Sequence, residues 1–573
     1  MSEKESGGNA GSSKLETEAQ ELLALEGLPF VPRATGYIKR TGPGLLQSAM
    51  TLGAGSAAAS VIAGASFGYK LLWVQPVAMF LGVMMLSALS NVVLTSGERP
   101  YKSFGREMGK WLVILWAVGT IMASVIWHFP QYGLAASAAR DMGEMAGFLT
   151  VPDEVLAARQ TFAEAQRTLD PAVIAQAQSE LQATTRATTF FGLGFTTAGL
   201  MLSFAVGALI LGINVVTTFN YGGGSAGVRV YEWFLRSCIA MVIVMFGIVV
   251  VARVDIVVQD IGEIFKGFIG WYGIPNLWAA DGSINADAVT QVLGMLGAAV
   301  GINMTFLYPY SLLKKGWGKA HRKLARWDLG MTMFLPFVMV TSLVIIGMKV
   351  GGVYDGSDVV NTTIRPLDAA KALSDVIGAN AGRIIFNLGL IGMTCGAIST
   401  HMVVCGFTFC EMLGLEQTKK RFRLFALTPA IGITGVVASL PIWFPVAASA
   451  VCFTMLPIAY VAILIMSNKR SYIGDAVGQG ASRLVFNILL VLALLVATAG
   501  SVIQINNRVV QPLFAKPAPV APPVPTAPLH PEQTETPAVP LDDADLDEAD
   551  LDEAEVDEPV DEGAVPTEPS ESN

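Results

Sequence analysis

Residues 42–57 read GPGLLQSAMTLGAGSA, and residues 294–305 read GMLGAAVGINMT. Each stretch lies inside a long apolar run. Each sets glycine beside small polar residues near the middle of that run: Gly53 and Gly55 with Thr51 and Ser56, then Gly301 with Asn303 and Thr305. A helix interrupted there frees backbone N–H and C=O groups that hydrocarbon cannot satisfy. Such a break persists only beside a water-filled cavity or a bound solute. The two breaks fall at corresponding places in two sets of five spans, the pattern of an inverted-repeat transporter. Glycine at this spacing also serves close helix packing.

The rest of the chain supplies the solvent these helices need. Of 573 residues, 53% are hydrophobic and 14% charged, with a mean hydropathy of +0.53. A soluble domain carries roughly 25% charged residues, and a single soluble core stops growing near about 250–300 residues. The apolar runs reach the roughly 18 residues that cross a hydrocarbon layer, and the period-two alternation of a membrane β-barrel is missing. The expected class is an all-α polytopic membrane protein whose first partner is the lipid bilayer. Basic residues are scattered between apolar runs, which excludes a nucleic-acid partner. Five cysteines within or beside the runs show no disulfide spacing.

Eleven spans are expected, at about residues 44–66, 71–95, 110–138, 189–214, 235–256, 290–313, 329–350, 384–411, 424–441, 445–467 and 484–507. With the N-terminus in the cytoplasm, 24 Lys and Arg fall on the inner side and 13 on the outer. The short loops at 314–326 (KKGWGKAHRKLAR) and 419–423 (KKRFR) carry much of that bias, which sets orientation. The expected layout is a polar cytoplasmic segment at 1–40, with a short helix at 15–26, and a cell-membrane transporter domain at 41–510. With no basic-then-apolar leader before it, the first span is expected to act as the insertion signal. Between spans three and four, residues 140–188 form an extracytoplasmic insertion, with helix starts at Pro152-Asp153-Glu154 and Asp170-Pro171. Residues 511–573 hold 17 acidic residues against one lysine, 13 prolines and the near-repeat DLDEA-DLDEA at 545–554. Such a stretch cannot bury enough apolar surface to fold, so a disordered outer tail is expected.

Several of these stretches resemble the NRAMP (natural resistance-associated macrophage protein) family of metal-ion transporters. The likeness rests on residues 42–73 (GPGLLQSAMTLGAGSAAASVIAGASFGYKLLW), 297–308 (GAAVGINMTFLY) and 388–407 (LGLIGMTCGAISTHMVVCGF), and on Leu456-Pro457. It covers roughly residues 41–507. The resemblance implies the leucine-transporter-like 5+5 inverted repeat, with helices one and six broken and substrate held between them. Carried over by position, the substrate residues are Gly53, Ala54, Gly55 and Ser56, where the family has Asp-Pro-Gly-Asn. Gly301, Ile302 and Asn303 stand where it has Met-Pro-His, with Thr305 beyond, and Ser449 stands where it has a tenth-helix Gln. Thr120, Trp127 and Pro130 occupy the places of its third-helix acidic residues. The chain is thus a divergent member whose ligand motifs are replaced. Backbone carbonyls with Ser56, Asn303 and Thr305 remain to hold a cation, or to hydrogen-bond a neutral solute.

Three further groupings stand out. Trp127-His128-Phe129-Pro130-Gln131-Tyr132 closes span three, and a histidine in a membrane helix is a candidate relay, so His128, Gln131 and Tyr132 form a candidate proton path. His401 and Cys405 share one face of span eight; two ligands cannot close a zinc site, so packing is expected there. Asn91 and Glu98 are read as interface anchors. The expected function is an NRAMP-like secondary transporter of a cation, a divalent metal by the resemblance, working by alternating access. The alternatives are the same fold carrying an organic solute or hydrated Mg²⁺, and a transporter-derived receptor or scaffold. No nucleophile–base pair or nucleotide-binding loop is present, so neither an enzyme nor a cofactor is expected. The sequence sets no oligomeric state.

Overall fold

The computed structural model describes residues 17–510 apart from 169–170, 189–195, 222–224, 279–281, 283, 355, 362–363, 365–368, 371, 373–377, 438–442 and 507–509. The acidic tail and the start of the expected N-terminal helix therefore lie outside the described residues, as do the beginning of span four and the end of span nine. Among the described residues the secondary structure is helical, with one isolated bridge between Trp278 and Ile284.

Within the described residues, each of the eleven expected spans overlaps helix. Among those residues eight helices are long and apolar enough to cross a membrane, nine if the bent pair Pro43–Thr51 and Ala54–Phe67 is one span. The remaining two are built from shorter pieces. Span nine runs through the helix Lys419–Ala426 and the 3-10 segment Thr428–Val437. Span ten divides into Trp443–Phe453 and Leu456–Asn468, with Pro457 in the first turn of the second piece, where its missing N–H costs nothing.

The first span shows how sequence sets the break. Pro43 opens the inner half. Its orphan N–H groups are met from span seven: the Asp328 carboxylate accepts from Gly42 N at 2.8 Å and from Gly44 N at 2.5 Å. The helix stops at Thr51, Gly53 runs extended (φ −109°, ψ −165°), and the outer half starts at Ala54 with its axis bent by 51°. The sixth span repeats the arrangement. Asn285 caps Ala286–Ala299 by accepting from the N–H groups of Asp287 and Ala288. Val300 is extended (φ −146°, ψ 120°), and the helix resumes as Met304–Lys314. Gln291 Nε2 donates to Ala59 O at 2.7 Å and ties the two broken spans together.

Around this pair sits a close-packed frame of small residues. A Cβ on Gly64 would lie 2.7 Å from the Ile345 carbonyl oxygen, and one on Gly297 would lie 2.5 Å from the Ser449 carbonyl oxygen. Gly432 and Gly435 of span nine meet the backbone of span three at His128 and Phe129, beside Pro130. In lipid, where apolar side chains gain nothing by leaving solvent, such backbone approach is what holds helices together. Span three is the helix Lys110–Met145, longer than the expected 110–138. At about 1.5 Å per residue it overruns a hydrocarbon core of about 30 Å. Its last turns are joined to span eight by the ion pair Asp141–Arg383 and by Asn387 donating to Asp141 at 2.6 Å. The helices Asp153–Thr168 and Pro171–Thr188 pack on each other through Phe162, Ala165 and Ala177, and Arg159 pairs with Glu144 at the end of span three.

Candidate functional site

The two breaks face one cavity of about 20 Å³, room for one water-sized occupant. Gly53, Gly55 and Ser56 line it from span one, and Gly301 and Asn303 from span six. Only glycine fits at the first break. A Cβ on Gly53 would stand 2.8 Å from the Ala397 Cβ, and one on Gly55 would stand 2.3 Å from Trp127 Cη2. Spans three and eight thus press directly on the unwound backbone.

The polar groups of the break are partly spoken for. Ala54 N donates to Gln131 Oε1 at 2.9 Å, and Ser56 Oγ donates back to Gly53 O at 3.0 Å. Gln131 is therefore the hydrogen-bonding cap of the outer half-helix. It lines the cavity, whereas its two expected relay companions do not. His128 is fully buried behind it, with Nδ1 2.8 Å from Ser124 O and Nε2 without a partner among the described residues. Tyr132 packs with Ile210, Cys395 and Ile398, its hydroxyl likewise unpartnered. The three do not form a continuous path.

Two other expected contacts need correcting. Thr305 lies outside the cavity: its hydroxyl accepts from Trp116 Nε1 at 2.7 Å and donates to Ile302 O, because the helix after the break turns this side chain toward span three. Ser449 does not line the cavity either. Its buried, unpartnered Oγ lies where a Cβ on Gly55 would approach to 2.8 Å, so it sits just behind the first break.

The wall also holds Met50, Thr51, Trp127, Gly297, Ala298, Met304 and His401, none of which the sequence reading assigns to the passenger. His401 had been assigned to packing with Cys405. It instead reaches the cavity, with Nδ1 3.1 Å from Asn303 Nδ2 and its ring edge-on to His128 at 5.6 Å between centroids. Its signal was available in the sequence, as one of four histidines in the chain and placed mid-span. The donors around the cavity are amides, hydroxyls, thioethers, one imidazole and freed carbonyls. Among the described residues no three His, Cys, Asp or Glu side chains gather as a metal site.

Paired helix breaks at mid-membrane, facing one small polar cavity, define a membrane transporter of the inverted-repeat class. The family profile of natural resistance-associated macrophage protein-like (Nramp) proteins matches residues 172–504. The chain belongs to the Nramp family, and it is a transporter, not an enzyme. A solved structure of an Eremococcus coleocola manganese transporter, in complex with an aromatic bis-isothiourea substituted compound, is similar at 13% identity and a TM-score of 0.57. The match covers 86% of this chain and 91% of that one. A mutant of the same transporter matches at 13% identity and a TM-score of 0.56, over 84% and 89% of the two chains. The likeness carries the fold, the leucine-transporter-like 5+5 repeat. No curated protein matches the sequence.

Proposed function

We propose that the chain is a secondary carrier of a divalent metal cation, bound between the breaks of spans one and six and moved by alternating access. The observation that carries this reading is the bond from Ala54 N to Gln131 Oε1. A free half-helix N-terminus would draw an anion. Here a carbonyl oxygen covers its leading N–H, while the first halves of the two broken spans, Pro43–Thr51 and Ala286–Ala299, end at the cavity with their carbonyl ends. Helix C-termini carry partial negative charge and favour cations. The cavity size agrees. A bare ion is about as large as a water, whereas an organic solute or an ion with its full water shell needs several times more room. The similar solved structures are of a manganese transporter, which is consistent with a metal as cargo.

The contacts assigned to the passenger are the backbone at Gly53–Ser56 and Gly301, with Ser56 and Asn303 as side-chain donors. Ala54 acts through its N–H, held by Gln131. Residues 41–510 form the transporter domain, residues 1–40 face the cytoplasm and the acidic tail faces outward, as the loop charges support. The test is uptake into proteoliposomes with a panel of divalent ions. Flux of at least one ion above empty vesicles is expected, and no flux of any ion by folded protein would remove the metal assignment.

A further inference from the structure

Resting on that cation reading, we infer that His401 is the specificity-determining residue of the site: its Nδ1 contact with Asn303 turns from accepting to donating, which leaves Nε2 to bind the passenger and so selects ions that favour nitrogen donors. Three facts of place carry this. His401 lines the cavity, is 2% exposed, and meets Asn303 through Nδ1, which leaves Nε2 outside that bond. Among the lining side chains it is the one imidazole, and no carboxylate lines the cavity to attract hard and borderline cations alike. Oxygen donors suit Mg²⁺, Ca²⁺ and Mn²⁺, whereas imidazole suits Zn²⁺, Fe²⁺, Ni²⁺ and Cu²⁺. With the backbone and hydroxyl oxygens common to every passenger, discrimination falls to this nitrogen, aided by the Met50 and Met304 thioethers.

The neighbour at Nδ1 makes the exchange feasible. Asn303 offers Nδ1 either its NH₂ or, after a half-turn of the amide, its oxygen. With NH₂ donating, Nδ1 accepts and the ring proton sits on Nε2. With Oδ1 facing the ring, Nδ1–H donates to it and the Nε2 lone pair is free. A metal-bound histidine commonly donates its second N–H to such a carbonyl, which fixes tautomer and ring orientation. The Asn303–His401 pair thus belongs to spans six and eight and reports an arriving ion from one to the other. His128, packed edge-on behind His401, restricts how far that ring can turn.

The test compares Co²⁺ and Mg²⁺ uptake in proteoliposomes for the wild type, His401→Gln and His401→Ala. Losing an outer-shell partner of a metal-bound histidine costs on the order of 10–100-fold in affinity, so losing the ligand should lower the Co²⁺-to-Mg²⁺ uptake ratio by about 10-fold or more, with a monodisperse size-exclusion profile and an unchanged melting temperature as the folding controls. An unchanged ratio would overturn the inference while leaving the carrier assignment standing; absence of all divalent flux in the wild type would remove the carrier assignment itself. A measurement on the wild type needs no variant to fold: the chain has four histidines, so ¹⁵N-histidine spectra are simple to follow. Zn²⁺ is expected to shift one imidazole Nε2 signal, missing in His401→Gln. Calorimetric Zn²⁺ binding that moves no such signal would refute it.

Discussion

Asp328→Asn isolates the contact that holds the inner half of span one. The Asp328 side chain is fully buried and accepts two backbone N–H groups, from Gly42 and Gly44, with the Thr332 hydroxyl at 3.2 Å. A hydrogen bond to an ionised acceptor contributes about 1.5–3 kcal/mol net, and a neutral one about 1 kcal/mol. Asparagine keeps the volume but has one oxygen, so one N–H loses its acceptor and the other keeps a neutral partner. Removing a buried charge returns some desolvation energy, leaving a net loss of about 2–4 kcal/mol. At about 1.4 kcal/mol per decade, the undocked state of Pro43–Thr51 should gain roughly 30- to 1,000-fold in population. Hydrogen exchange of backbone amides in 44–51, in nanodiscs, reads this directly. Exchange should accelerate by that factor there, and change little in the outer half Ala54–Phe67. Rates within about twofold of wild type would show that Asp328 does not hold this half-helix down.

Gly55→Ala should lower the melting temperature and the uptake rate together, because its Cβ would lie 2.3 Å from Trp127 Cη2 and 2.8 Å from Ser449 Oγ; overpacking of this kind costs about 1–3 kcal/mol. Gly212→Ala, on an exposed face with nothing within 4 Å, is the matched control and should leave melting unchanged or raised. Arg106 holds the Glu98 carboxyl below its ordinary value of 4.5, and Lys469 with Arg106 does the same for Glu107. Depressed carboxylates stabilise above their unfolded value, and lose that contribution as pH falls through the folded one. The melting difference between wild type and a Glu98→Gln/Glu107→Gln variant should therefore be constant well above pH 4.5 and shrink steadily as pH falls below it; a difference that grows on acidification would refute this pairing. Removing residues 511–573 should leave uptake unchanged, and loss of flux on truncation would move the working part into the tail.

The fold was legible because its signals are coarse and physically forced. Apolar runs must match the bilayer, basic loops mark one side, and glycine interrupts two spans where an unwound backbone is wanted. The site was legible only as far as the backbone reaches. Gly53, Gly55, Ser56, Gly301 and Asn303 line the cavity because they sit at the breaks themselves. Thr305 misled because two residues past a break the helix has already turned, and Trp116 takes its hydroxyl. Met50, Trp127 and Met304 look like any core residues in sequence, and only packing distinguishes a wall from an interior. His401 was discounted as one half of a two-ligand pair, yet its partner turned out to be Asn303 on another span. Pairings between elements cannot be read from spacing within one.

The spans that break and the spans that press on the break divide the work. Spans one and six supply the unwound backbone, with Ser56 and Asn303 beside it. Spans three and eight supply the side chains that finish it: Gln131 covers the leading N–H of the outer half-helix, and His401 engages Asn303 across the cavity. In each case a hydrogen bond joins a broken span to an unbroken one at the cavity where the passenger is proposed to bind. An ion entering the cavity therefore competes with contacts that set how the two pairs are docked, and binding and rearrangement share the same few bonds. A ligand shifts a conformational equilibrium only by its differential affinity for the two states. Here that difference has a structural address, since the groups that would hold the ion are the groups that hold the spans together without it.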